Sequence, residues 1–123
     1  MKKTICLLSI LSILAACGGG GGEDKKPKAV DITQTDEYKK GYEVVKGSDC
    51  MTCHLIDEKN VGPAWRDVAN KYAGQDTAVR YLAKKIVDGG SGVWGQVPMA
   101  AHPTFTPEQA EAVAKYVLLL KNK

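Results

Sequence analysis

The sequence of 123 residues has few of the side chains that bind metal ions or form cross-links: four cysteines, two histidines and three methionines. It contains no run of basic residues, no Gly-rich dinucleotide-binding motif and no P-loop, so nothing in it indicates binding of nucleic acid. Strand-like alternation of apolar and polar residues is scarce, and there is no internal repeat. These absences predict a small helical protein whose chemistry depends on a handful of residues.

The longest apolar run is too short to cross a membrane. It covers twelve residues from Ile5 to Ala16, whereas a helix needs about 20 residues to span a bilayer. With two lysines before it, the run is typical of a secretory signal peptide over residues 1–16. It ends in a Leu-Ala-Ala-Cys sequence that resembles a bacterial lipobox, so we expect cleavage before Cys17 and lipidation of that cysteine. An ordinary signal peptide that leaves a soluble protein is the alternative.

Residues 17–35 are predicted to form the lipidated cysteine and a flexible tether. The tether starts with five glycines and continues with a charged, proline-containing stretch that cannot bury enough apolar surface to fold. The remaining 88 residues, 36–123, are predicted to be one domain, with twelve basic and eleven acidic side chains. The core of a domain of that size is only marginally stable without a covalent cross-link or a cofactor. We expect the domain on the periplasmic side of a bacterial membrane, with the choice between inner and outer membrane left open.

The sequence Cys-Met-Thr-Cys-His at residues 50–54 carries most of the functional information. A zinc site would need both cysteines and both histidines, but His54 follows Cys53 directly and the usual spacing of zinc ligands is missing. A redox-active Cys-x-x-Cys pair would need strands and helices that alternate, and strands are not predicted. The pattern is the signature of covalent c-type haem attachment, with thioether bonds at Cys50 and Cys53 and the imidazole of His54 on the iron.

A second iron ligand is predicted by the position of the methionines. Met1 is removed with the signal peptide, and Met51 lies within the attachment turn. Met99 remains, directly after a glycine-rich loop over residues 89–98 that is long enough to wrap around a flat cofactor. His102 is the rival ligand and would give a bis-histidine iron.

Helical patterns occupy most of the domain. Thr35 is a predicted N-cap for the first helix, Pro63 is predicted to begin the second and Asp76 to cap the third, which ends at Gly89. A capping box with proline in the first turn starts at Thr106 and predicts the last helix. We therefore expect an all-α domain of about four helices around one haem.

Several short motifs together resemble the short monohaem class I cytochromes c of bacterial periplasms. The matching residues, in numbers of this chain, are 50–54, 61–64, 67–74, 92–95, 98–99 and 114–118. The resemblance implies a class I cytochrome c fold and a function as an electron carrier rather than an enzyme, with one covalent haem (heme c). It also implies a monomer that exchanges electrons with a terminal oxidase, a reductase or a quinol-oxidising complex. A haem enzyme or sensor with a labile methionine is the alternative.

The resemblance also assigns roles to individual residues. The carbonyl of Pro63 is expected to accept the second N–H of the His54 ring. Trp94 and Lys85 are expected to face the inner haem propionate, and Arg66 is a weaker candidate for the same role. Gly41 and Tyr116 match the place where the first and last helices cross. The lipid tether, Trp65 and His102 depart from the usual family pattern.

Overall fold

The computed structural model describes residues 30–122. Cys17, the predicted signal peptide and most of the predicted tether therefore lie outside the described residues. No helix in the described part of the chain is both long and apolar enough to cross a membrane. After a 3₁₀ turn at Ile32–Gln34, the elements are α1 (Asp36–Lys46), α2 (Cys50–Cys53), α3 (Trp65–Tyr72), α4 (Ala78–Asp88), β1 (Gly90–Gly92), β2 (Gly95–Met99) and α5 (Pro107–Leu119).

The first and last helices begin where the sequence predicts. The side chain of Thr35 accepts a hydrogen bond from the backbone N–H of Tyr38 and caps α1. At α5 the capping box is complete, because Thr106 accepts from the N–H of Gln109 and the Gln109 side chain accepts from the N–H of Thr106. Both the Thr35 cap and the capping box of α5 satisfy backbone donors that have no partner inside the helix.

The predicted starts of the two middle helices are wrong. The second helix begins at Trp65 rather than Pro63, because the N–H groups of Trp65 and Arg66 bond to the carbonyls of Leu55 and Ile56 in the preceding loop. The third begins at Ala78 after Thr77, and no side chain caps it, so the predicted Asp76 cap is not formed. Instead, the N–H of Ala78 bonds to the carbonyl of Gln75 in a turn.

The glycine-rich loop predicted before Met99 contains a short antiparallel hairpin. Strand β1 pairs with β2 in a register that sets Gly90 opposite Met99 and Gly92 opposite Gly95, with an irregularity between the two pairs. All three of these glycines have φ between 107° and 118°, a backbone conformation that residues with a side chain rarely adopt. The all-α prediction is thus confirmed apart from this hairpin, and α2 adds a one-turn fifth helix to the four expected.

Helix α5 forms the centre of the core and packs against α1, α3 and α4. At its crossing with α1, an added Cβ on Gly41 would lie 2.3 Å from the Cβ of Tyr116 and 2.4 Å from the carbonyl oxygen of Ala112. Only glycine allows this approach, which confirms the predicted pairing of Gly41 with Tyr116. The Tyr116 side chain is fully buried there, with its ring edge-on to Tyr38.

Candidate functional site

A cavity of about 580 Å³ lies between the helices and the hairpin, within the size range of cofactor sites. Two segments supply much of its wall: the attachment segment, residues 49–65, and the Met99 segment, residues 89–102. Helices α3, α4 and α5 supply apolar side chains between them. All seven residues predicted from the sequence to contact the cofactor line this one cavity: Cys50, Cys53, His54, Pro63, Lys85, Trp94 and Met99.

The two cysteines occupy the ends of the single turn α2. The backbone N–H of His54 closes this turn on the carbonyl of Cys50 at 3.0 Å. Residues three apart on one helical turn lie on the same face, so both thiols are presented together. Cys50 is half-buried and Cys53 is exposed. After the turn, His54 adopts extended backbone angles, which separate its imidazole from the helix that carries the thiols.

The ring of His54 is oriented by a hydrogen bond to the backbone. Its Nδ1 lies 2.8 Å from the carbonyl oxygen of Pro63. A carbonyl can only accept, so Nδ1 carries the hydrogen and Nε2 keeps its lone pair for a metal ion. The side chain is only 9% exposed, and its ring stacks nearly parallel on Trp65 at 5.8 Å between centroids.

Gly62 makes room for this imidazole. A Cβ added to Gly62 would lie 2.5 Å from Cε1 of His54 and 2.9 Å from its Nδ1, which real structures do not show. The backbone N–H of Gly62 also bonds to the carbonyl of Cys53 at 2.9 Å. The loop therefore presses directly on the histidine ring and fixes its position.

The Met99 segment is attached to the fold mainly at its ends. Gly89 ends α4 with φ of 71°, and an added Cβ would lie 2.5 Å from the carbonyl oxygen of Met99. Residues 90–98 between them are exposed, whereas Met99 is half-buried against the core. The methionine is therefore placed at the point where the chain returns from the hairpin to the body of the protein.

Lys85 and Trp94 both lie in the cavity wall, and Arg66 does not. Trp94, at the hairpin turn, is 39% exposed, and Nζ of Lys71 lies 5.5 Å from the centre of its ring, within cation–π range. Lys85 is half-buried on α4. Arg66 pairs instead with Asp57 and with the carbonyl of Leu120, away from the cavity. The contact of Lys85 and Trp94 with a propionate stays a prediction.

Burial raises the pKa of two tyrosines near the site. It is the main cause that raises the pKa of Tyr72 to about 12, and the neighbouring Tyr81 adds to the shift. Burial likewise raises the pKa of Tyr116, with a smaller contribution from Tyr38. These two phenols are therefore neutral at physiological pH.

Sequence reasoning missed two residues of the site. Gly62 lies within the matching motif 61–64 but has no role assigned there, although a glycine just before a proline near a ligand histidine is a signal of close approach. Asp49, directly before Cys50, lines the cavity and its Oδ1 lies 3.0 Å from Nε2 of His102. The hydrogen bond from His102 is the largest cause that lowers the pKa of Asp49. No sequence pattern links positions so far apart.

These features fit a covalently attached haem. The cavity offers two thiols on one turn, a buried imidazole with Nε2 free, a thioether in the same wall, and mostly apolar lining. Zinc does not fit, because within residues 30–122 no three side chains of the His, Cys, Asp or Glu type come together as a metal site. The fold and the site together define a small monohaem protein of the c type.

The chain belongs to the cytochrome c family. The family model described as "Cytochrome c" matches residues 38–121. Cytochrome c-552 of Nitrosomonas europaea is 46% identical over 79 residues, which are 64% of this chain and 77% of that protein. Cytochrome c-552 of Hydrogenobacter thermophilus is 49% identical over 79 residues, which are 64% of this chain and 80% of its own.

A solved structure shows the same fold. The crystal structure of Nitrosomonas europaea cytochrome c552 superposes with a TM-score of 0.62 and 45% identity, over 65% of this chain and 99% of that one. The class I cytochrome c fold is thereby confirmed. The protein carries one haem c, attached through Cys50 and Cys53, and is an electron carrier rather than an enzyme.

Proposed function

We propose that this protein is a lipid-anchored electron carrier on the periplasmic side of a bacterial membrane, with His54 and Met99 as the axial ligands of its haem iron. The observation that carries the ligand assignment is the hydrogen bond from His54 to the carbonyl of Pro63, which leaves Nε2 free inside the cavity that Met99 also lines. Met51, by contrast, is exposed on the attachment turn and does not line the cavity.

His102 is a poorer candidate for the second ligand. Its Nε2 contacts the carboxylate of Asp49, and its Nδ1 is buried with no hydrogen-bond partner within residues 30–122. Coordination through Nε2 would require the contact with Asp49 to break and the ring to turn. Met99 needs no such rearrangement of a bonded group, so a bis-histidine iron is not favoured.

The haem, when bound, supplies one-electron oxidation and reduction. The chain's own residues keep the ligand set constant. His54 is held by Pro63, Gly62 and Trp65, so its ring has little freedom to reorient. If His54 and Met99 both hold the iron, they would leave no position on it for oxygen or another substrate, and ligation by histidine and methionine would raise the reduction potential. These properties suit a carrier that exchanges electrons without rearrangement.

The proposed location depends on the start of the sequence. The short apolar run, the lipobox-like ending at Cys17 and the glycine-rich stretch together predict export, lipidation and a tether. A flexible coil over residues 18–35 would have an r.m.s. span of roughly 25 Å, so the domain would stay near the membrane. We propose that it acts as a monomer that docks transiently on a membrane oxidase, reductase or quinol-oxidising complex.

Optical spectra of the ferric and ferrous holoprotein test the ligand assignment. Wild-type ferric protein should show the long-wavelength thioether-to-iron charge-transfer band, and Met99→Ala should abolish it. Met51→Ala is the matched control, because it removes an exposed methionine from the attachment turn. A Met99→Ala spectrum identical to that of the unaltered protein would transfer the sixth position to another residue, His102 first.

Fractionation of cells that make the holoprotein tests the anchor. We expect the unaltered protein in the membrane fraction, released by detergent but not by high salt, because acyl chains resist salt. Cys17→Ser should appear in the soluble periplasmic fraction with an unchanged haem spectrum. Membrane retention of a Cys17→Ser form whose mass shows that the signal peptide has been removed would contradict lipid anchoring at this residue while leaving the ligand assignment intact.

A further inference from the structure

One side-chain contact joins the two segments that hold the cofactor. Oδ1 of Asp49, directly before Cys50, lies 3.0 Å from Nε2 of His102, three residues after Met99. The two residues are far apart in the sequence, and both line the cavity. The contact thus connects the start of the attachment segment to the end of the Met99 segment.

His102 is the immobile partner of this contact. Its backbone N–H is shared between the carbonyls of Ile86 and Val87 near the end of α4, at 3.1 Å each. Its ring packs against Phe105 with centroids 5.3 Å apart, and its side chain is 17% exposed. The Asp49 side chain is 77% exposed. A fixed histidine therefore holds a carboxylate that would otherwise be free in solvent.

The contact also selects one form of the imidazole. The carboxylate of Asp49 accepts, so Nε2 of His102 carries a hydrogen in both the neutral and the charged ring. The other nitrogen, Nδ1, is buried and has no hydrogen-bond partner among the described residues. Leaving a buried polar atom unpaired is unfavourable, and in the neutral ring Nδ1 presents only a lone pair. A contribution to the stability of the domain therefore does not by itself explain why residue 102 is a histidine.

We propose that His102 and Asp49 are positioning residues for Met99, and that their contact holds the Met99 segment against the attachment segment. The inference rests on the proposed ligation of iron by Met99. Between Gly89 and Met99 the chain is exposed and glycine-rich, so it offers little packing of its own to resist movement. The contact between Asp49 and His102 fixes the chain on the C-terminal side of Met99. Its loss makes the sulfur easier to displace without unfolding the domain.

Competition by free imidazole measures this effect. Imidazole is titrated into ferric holoprotein, and the loss of the thioether-to-iron band reports displacement of Met99. For Asp49→Ala we expect imidazole to bind about two- to fivefold more tightly, the range of exposed charged pairs. Thermal unfolding followed by circular dichroism should change little, because Asp49 is exposed.

Two further variants separate positioning from a change of charge. Asp49→Asn keeps an oxygen that accepts from His102, and its imidazole affinity should stay within twofold of the unaltered protein. Asp57→Ala removes the same charge from the attachment segment, where Asp57 pairs with Arg66, and should also leave the affinity unchanged. Equal affinities for Asp49→Ala and Asp57→Ala, or equal increases for Asp49→Ala and Asp49→Asn, would overturn the inference while the band itself upholds Met99 ligation. Absence of the band from unaltered protein would overturn both.

Discussion

The attachment segment and the Met99 segment hold their proposed ligands in different ways. His54 is buried, bonded to Pro63, pressed by Gly62 and stacked on Trp65. Met99 is half-buried at the end of an exposed, glycine-rich hairpin. Dense packing positions the imidazole. The position of the thioether depends instead on backbone contacts at Gly89 and on the contact between His102 and Asp49.

This difference indicates where the site is adaptable. Rearranging His54 requires movement of a loop whose backbone donors bond to several neighbouring carbonyls. Rearranging Met99 requires only movement of a surface segment with few buried contacts, and such segments open at low cost in free energy. Ligand exchange should therefore occur at the methionine, while the histidine stays in place.

Loss of the haem should have the largest effect on the two segments. The cavity of about 580 Å³ is surrounded by a core that is small for an independent domain. We expect protein with both Cys50 and Cys53 changed to Ala, made without haem, to lose most of its helical circular dichroism signal at 25 °C. In the same variant, backbone amides of the Met99 segment should be less protected from hydrogen exchange than those of the attachment segment, because the Met99 segment has less packing of its own.

The haem-bound protein at the same concentration and pH is the control for that measurement. A native-like helical spectrum in the haem-free variant would show that the apolar core is sufficient. Equal protection of both segments would remove the distinction drawn between them.

Gly62→Ala is a smaller perturbation, confined to the attachment segment. The new methyl group would overlap His54, and overpacking of this kind costs about 1–3 kcal/mol. Urea unfolding of the ferric holoprotein should show that loss. Gly47→Ala is the matched control, since its Cβ would meet nothing closer than 3.5 Å and its φ is −86°. Equal stability of the two variants would indicate that the loop yields, and that His54 is held less rigidly than its contacts imply.

Much of this site could be predicted from local sequence. The Cys-x-x-Cys-His motif places three functional groups within five residues, so helical geometry alone brings them together. The Thr35 cap of α1, the capping box of α5 and the glycine at the end of α4 are local for the same reason. Elimination predicts Met99 as the second ligand, because the chain has few methionines.

The features that were missed depend on contacts between distant residues. The second helix starts later than Pro63 predicts, since the loop at Leu55 and Ile56 takes up its first backbone donors. The hairpin forms from residues with weak strand propensity because glycines allow its backbone angles. The contact of Asp49 with His102 joins two positions separated by most of the domain. None of these can be derived from periodicity.

The crossing of α1 and α5 has a consequence for biogenesis. Gly41 precedes both cysteines in the chain, whereas Tyr116, whose Cβ packs against it, follows both the attachment segment and the Met99 segment. The crossing therefore forms only after α5 has been made, and it is a contact between residues far apart in the sequence. Until α5 is present, helices α1, α3 and α4 lack the packing partner that all three share.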